Sequence, residues 1–287
     1  VTYTNAGEPT QIITEQNPAK ITLPAGTFTN DAIKTQVDTF AGKITASING
    51  APATGISITA ANGFITVVPA QGNTTYTGSV QFPYELVYQF GTANLQYNTD
   101  EVAAGYTYDG SSHVPAIQVL DPATGAVMTS GYGITYQQQV TAADGSTSYA
   151  PMTGLPTAAG NYQAVVTCDG YTTKDPVAVS FAINPATIAD TDLSEIADLT
   201  WTGDVLPVPA IEVKVNLGST QVPNIVTLEE GTDYTVAIQK QGDTPSIITP
   251  TAFKDKGNYK LQITGKGNYA NSIAYSNEFA VEGASLA

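Results

Sequence analysis

The chain repeats itself, and that repetition constrains its fold more than any local pattern does. Ala93 to Gly110 (ANLQYNTDEVAAGYTYDG) aligns without a gap on Ala186 to Gly203 (ATIADTDLSEIADLTWTG), at an offset of 93 residues. Ala93/Ala186, Leu95/Ile188, Ala104/Ala197, Thr107/Thr200, Tyr108/Trp201 and Gly110/Gly203 fall in register. Val114-Pro115-Ala116-Ile117-Gln118-Val119 then answers Val208-Pro209-Ala210-Ile211-Glu212-Val213 at an offset of 94. Further on, Gly160-Asn161-Tyr162 matches Gly257-Asn258-Tyr259, Gly170 matches Gly267, and Phe181-Ala182-Ile183 matches Phe279-Ala280-Val281, so the offset drifts only to 98. A period of this size defines structural modules before any strand is assigned.

The first third fits the pattern more loosely. Phe64-Ile65-Thr66-Val67-Val68 before Gly72 has the layout of Tyr162-Gln163-Ala164-Val165-Val166 before Gly170. Val1-Thr2-Tyr3-Thr4 mirrors Tyr106-Thr107-Tyr108-Asp109, which places Val1 inside the second strand of its module. The expected modules are therefore 1–92, 93–185 and 186–287, the first without its opening strand or with that strand upstream.

Within each module the hydrophobic period is two. Tyr162, Ala164, Val166 and Cys168 share one face, as do Tyr259, Leu261 and Ile263, the signature of a half-buried strand. Closing strands are expected at Val177, Val179, Phe181, Ile183 and at Val80, Phe82, Tyr84, Leu86, Tyr88, Phe90, and a helical period is nowhere sustained. Asp121-Pro122-Ala123-Thr124-Gly125, Asp144-Gly145, Glu230-Gly231 and Gln241-Gly242-Asp243 supply turns at sandwich spacing. The 41 threonines and 16 tyrosines favour a pleated, half-buried surface. The expectation is an all-β chain of three tandem immunoglobulin-like β-sandwich modules in an elongated array. Ala159-Gly160-Asn161-Tyr162 and Lys256-Gly257-Asn258-Tyr259 look like tyrosine corners, in which the hydroxyl folds back on the preceding backbone. Ala164 and Leu261 stand where antibody domains place cysteine, so packing alone must hold each sandwich.

These residues resemble a known group. The Tyr-Asp-Gly or Trp-Thr-Gly turn with Val-Pro-Ala-Ile, the Gly-Asn-Tyr strand, the closing Phe-Ala-Val and the Ile183-Asn184-Pro185-Ala186-Thr187-Ile188 joint look like tandem bacterial immunoglobulin-like repeats of secreted and wall-anchored surface proteins. The likeness covers 93–287 and extends weakly to 1–92. It implies extracellular stalks and adhesins, sometimes spacers in carbohydrate-active enzymes, and carries no catalytic residues over. Leu23-Pro24-Ala25-Gly26 is internal and lacks the Thr of a sorting signal, so anchoring is an implication of the resemblance alone.

Charge narrows the partners. The chain has no arginine, 10 lysines against 25 Asp plus Glu and a net charge of −15, which excludes a nucleic-acid binder. No run of 18 apolar residues exists and the first residues lack a signal-peptide pattern, so the chain is expected to be an excised segment without membrane insertion.

Few residues offer chemistry. His113 follows Ser111 and Ser112, but adjacent residues on a turn do not pair a base with a nucleophile, and a solvated turn histidine is expected. Cys168 lies on an inward strand position and reads as an inert buried thiol. Acids spread over all modules, 5, 7 and 13 in turn, do not form the facing carboxylate pair of a glycosidase. Asp190, Asp192, Glu195, Asp198 and Asp204 crowd the second joint, where oxygen ligands could hold Ca²⁺, set against a solvated acidic surface. Lys214 with Asn277 and Glu278 has the residue types of an intramolecular isopeptide bond. Trp201 aligns with Tyr108 and is expected in a core or half-core position, whereas Tyr132, Tyr136 and Tyr149 are candidate exposed contacts in loops.

The sequence thus points to a non-enzymatic, monomeric segment of a bacterial surface protein, outside the cell and associated with its wall. It acts as a stalk or presents loops, with no catalytic, metal or cofactor residues assigned. A module binding glycan or a host extracellular protein, and an accessory spacer of a carbohydrate-active enzyme, are the alternatives.

Overall fold

A computed structural model describes residues 2–3, 11–14, 16–48, 51–171, 173 and 176–283. Three of its sheets follow one strand order. In the last, Leu199–Thr200 lies parallel to Phe279–Glu282, which runs antiparallel to Gly257–Gly265, followed by Tyr234–Lys240 and Ser246–Ile248. Another places Tyr106–Thr107 parallel to Val177–Asn184, then Gly160–Cys168, Tyr132–Thr141 and Thr147–Pro151. The first places Ala19–Leu23 parallel to Val80–Tyr88, then Phe64–Pro69 and Ile56–Ala61. In the last two, such a series is the order of one sheet of an immunoglobulin-like sandwich, while the first sheet is faced by a helix, and the fold is all-β in class. Alternation produces it: Tyr162, Ala164, Val166, Cys168 and Tyr259, Leu261, Ile263 are buried, as are Val177, Val179, Phe181 and Ile183.

Both expected tyrosine corners form. The Tyr162 hydroxyl donates to the Ala158 carbonyl at 2.8 Å, and the Tyr259 hydroxyl to the Asp255 carbonyl at 2.9 Å. Each ring stacks on the phenylalanine of the closing strand, Phe181 and Phe279.

The chain forms two compact units. One comprises Val1–Tyr97, Ala116–Thr135 and Val165–Ala178. Its core gathers Ile21, Leu23, Val37, Phe40 and Ile65 between the four-stranded sheet and a helix. The other comprises Asn98–Pro115, Tyr136–Ala164 and Val179–Ala287, with a core around Phe253, Tyr259, Leu261 and Phe279. In the first unit Leu95–Gln96 pairs with Gln118–Val119, and in the second Leu193 bridges Val213, so the aligned positions Val119 and Val213 each meet a Leu across a short ladder or bridge. No helix among the described residues is long and apolar enough to cross a membrane.

Three expectations for the first third are corrected. A helix does form, Asn30–Ala41, where no helical period was expected. Ile33, Val37, Phe40 and Ala41 fall at i, i+4, i+7 and i+8, and that stripe packs against the sheet. The Thr29 hydroxyl accepts the Ala32 N–H at 3.2 Å and caps the start. The second strand of the first third is not at its start: Ala19–Leu23 occupies the edge beside the closing strand, the place of Tyr106–Thr107, and Thr2–Tyr3 pairs instead with Gln11–Ile12 and Ile44–Thr45. Val1 and Thr4, on which the other assignment rested, lie outside the described residues. Finally, Phe64 does not take the place of Tyr162: it is 44% exposed while Ile65 is fully buried. The inward phase is displaced by one residue, which turns every side chain of a strand to the opposite face.

Candidate functional site

His113 is not a solvated turn residue. Its Nε2 lies 2.9 Å from Asp109 Oδ1, its ring stacks on Tyr106 at 5.3 Å between centroids, and it is half-buried. The same Asp109 oxygen accepts the Ser111 backbone N–H at 2.7 Å. Burial opposes ionisation of Asp109, but bonds from Ser111 and the His113 ring hold its carboxyl below the usual value. Ser111 therefore belongs to the carboxylate and is not placed against the imidazole as a nucleophile would be. Burial, then Glu101, pushes the Tyr106 hydroxyl up to about 12. The constellation is a braced turn.

Cys168 is buried, with its Sγ 3.7 Å from the Met128 sulfur. Burial, then Asp121 and Asp169, raises its thiol pKa, the opposite of what a reactive thiolate needs. Beside it, Asp121 Oδ1 accepts the N–H groups of Ala123 and Thr124 at 2.9 and 2.8 Å, and Oδ2 accepts the Tyr171 hydroxyl at 3.1 Å.

The acids of the second joint diverge. Asp190 accepts the Tyr275 N–H, Asp192 the Ala189 N–H and Asp198 the Ala280 N–H, each at 2.7 to 2.8 Å. Each carboxylate fastens a different stretch of backbone. Among the described residues no three His, Cys, Asp or Glu side chains gather to hold an ion. The isopeptide trio is likewise engaged elsewhere. Lys214 pairs with Glu212 at 2.8 Å, Glu278 accepts from the Asn258 amide at 2.7 Å, and Asn277 brackets the backbone of Ile196, accepting its N–H and donating to its carbonyl at 2.8 Å.

Aromatic placement departs from the expectation. Tyr132 and Tyr136 lie on the Tyr132–Thr141 strand and Tyr149 on Thr147–Pro151; all three are half-buried rather than exposed in loops. Tyr136 meets the Phe181 ring edge-on. Trp201, expected in a core or half-core position, is 41% exposed. Its indole N–H donates to the Lys254 carbonyl at 3.0 Å, and the Lys256 ammonium sits 4.6 Å from its ring centroid. Sequence reasoning missed this pair. The signal available was Lys256 itself, in the place that Ala159 holds before the matching Gly-Asn-Tyr.

No family model and no curated protein matches the chain. Among solved structures it is similar to the zebrafish RET cadherin-like domains 1 to 4, at 10% identity and a TM-score of 0.18 over 76% of this chain; it spans 56% of that structure's length.

Proposed function

We propose that the chain is a non-enzymatic structural segment of an extracellular surface protein of the bacterial repeat type, built of immunoglobulin-like sandwiches in series and acting as a spacer. The observation that carries this reading is the threefold recurrence of one strand order, with a short strand parallel to the closing strand each time. The chemistry-bearing side chains support it as well, since Asp109, Asp121, Asp190, Asp192 and Asp198 spend their oxygens on backbone N–H groups. A spacer needs folded repeats and soluble surfaces, and a strongly acidic surface keeps such a segment apart from anionic polymers.

Limited proteolysis tests the serial plan. Cuts are expected at the joints near Ala93 and Ala186, with the pieces between them resistant. Protection across both joints together with cleavage inside the sheets would overturn it. A glycan array and a pull-down with extracellular host proteins test the passive role. Reproducible binding that is lost on changing a loop would make the chain a ligand-binding module instead.

A further inference from the structure

We propose that the surface around Trp201 and Lys256 is a docking face for a further repeat of the same plan, following in the same polypeptide and presenting a Gly-Asn-Tyr turn to it. The proposal rests on the serial reading above and adds the partner, the residues and the geometry.

The second unit contains an occupied version of this face. Tyr108 follows the Tyr106–Thr107 edge strand, donates its N–H to the Asn184 carbonyl at 2.8 Å, and precedes Gly110 in the left-handed region at φ +84°. Its ring meets Tyr269 edge-on, at 5.8 Å between centroids and 83° between planes. Ala159, next to the carbonyl that anchors the tyrosine corner, donates its N–H to the Asn268 side chain at 2.8 Å. Ala186 donates to the Asn268 carbonyl at 2.9 Å. Tyr108, Ala159 and Ala186 thus clamp one turn, Gly267–Tyr269, and leave Tyr269 only 2% exposed. Burial, then the neighbouring Tyr108, pushes the Tyr269 hydroxyl up to about 12.

The same positions recur in the last sheet. Trp201 follows Leu199–Thr200, donates its N–H to the Glu282 carbonyl and precedes Gly203 at φ +86°. Lys256 follows Asp255, whose carbonyl anchors the Tyr259 corner, so it stands where Ala159 stands. Here the aromatic ring is larger and nearly half in solvent, yet held by the Lys254 carbonyl and the Lys256 ammonium. A large, fixed and exposed aromatic ring is a common anchor of an interface.

The sequence supplies the occupant. Ala93-Asn94-Leu95 opens one repeat and Ala186-Thr187-Ile188 the next; Ala284-Ser285-Leu286 repeats the triplet, three residues after Val281 as Ala186 lies three after Ile183. Leu95 and Ile188 are both buried, each seated in a core. Ala186 is also the residue whose N–H holds the docked turn, and Ala284 holds the equivalent place in the sequence.

Trp201 is the chain's sole tryptophan, so its fluorescence reads the face directly. In the test, residues 1–286 are followed by a second copy of 189–287 carrying Trp201→Phe. The reference for a covered face is the 287-residue chain with Trp201→Phe and Tyr108→Trp. Docking predicts that Trp201 emission in the extended chain moves to shorter wavelength and that its acrylamide quenching constant falls at least about twofold, toward the reference. Asn268→Ala in the appended copy alone should return much of the quenching. Unchanged quenching beside a copy that is folded by circular dichroism and protease resistance overturns this proposal and leaves the serial reading standing. A copy that does not fold there counts against both. Protection of Trp201 in the unextended chain, whether by raising protein concentration or by adding oligosaccharides, also overturns it, in favour of self-association or of a glycan site.

Discussion

The hydroxyls of Tyr162 and Tyr259 each close a loop of four residues onto the backbone, and both were legible in the sequence because the local Gly-Asn-Tyr pattern alone specifies the corner. Tyr162→Phe and Tyr259→Phe remove one part-buried hydrogen bond each while keeping the ring. Each should cost about 1 kcal/mol in urea unfolding, with little change in slope. Tyr→Phe at the half-buried Tyr149, which makes no such corner, is the control. His113 and Trp201 were not legible in the same way. Their environments depend on Asp109, Tyr106 and Lys256, and an aromatic or imidazole ring says nothing by itself about who comes to meet it. Asp121 yields a pH prediction. Burial opposes its charge, yet bonds from Thr124, Ala123 and Tyr171 hold its carboxyl below the usual aspartate value. A group lowered on folding stabilises above its unfolded pKa and loses that contribution as pH falls through the folded one. The melting temperature of Asp121→Asn should therefore lie below that of the parent near neutrality, and the gap should narrow between about pH 5 and pH 3. A constant gap would assign the effect to shape rather than charge.

At the scale of elements, strands were read well wherever one face is fully buried, and poorly in the first third. There the alternation of Phe64–Pro69 is blurred by half-buried residues on both faces, so the eye takes Phe64 for the inward position that Ile65 holds. The Asn30–Ala41 helix was missed for a related reason: Thr and Asp punctuate its apolar stripe, and only the sheet it covers makes the stripe meaningful. Phe40→Ala should cost about 3 to 5 kcal/mol, since it empties a core position beneath the sheet. Thr29→Ala should cost about 1 kcal/mol through loss of the cap. If Phe40→Ala proved as mild as Thr29→Ala, the helix would be an ornament on the sheet rather than its second layer.

For the whole molecule, the acidic second joint was the main temptation in the sequence, because five acids fall within 15 residues there. Spacing on paper could not tell converging carboxylates from carboxylates that each seek a separate backbone N–H. Thermal unfolding should be the same in EDTA as in millimolar Ca²⁺, and an increase in midpoint with Ca²⁺ would contradict the hydrogen bonds of Asp190, Asp192 and Asp198. The intact mass should equal the sequence mass, since an isopeptide bond between Lys214 and Asn277 would release ammonia, and those two side chains are engaged elsewhere.

The parallel pairing of each edge strand with its closing strand has a mechanical consequence. The two strands lie near opposite ends of the segment they enclose, so tension applied along the polypeptide loads their ladder in shear, all rungs together, rather than peeling it rung by rung. Tyr106–Thr107 with Val177–Asn184, and Leu199–Thr200 with Phe279–Glu282, join through two registered pairs each, whereas Ala19–Leu23 and Val80–Tyr88 join through five. Under a steadily rising pull, the sheet closed by Val80–Tyr88 is the one built to yield last.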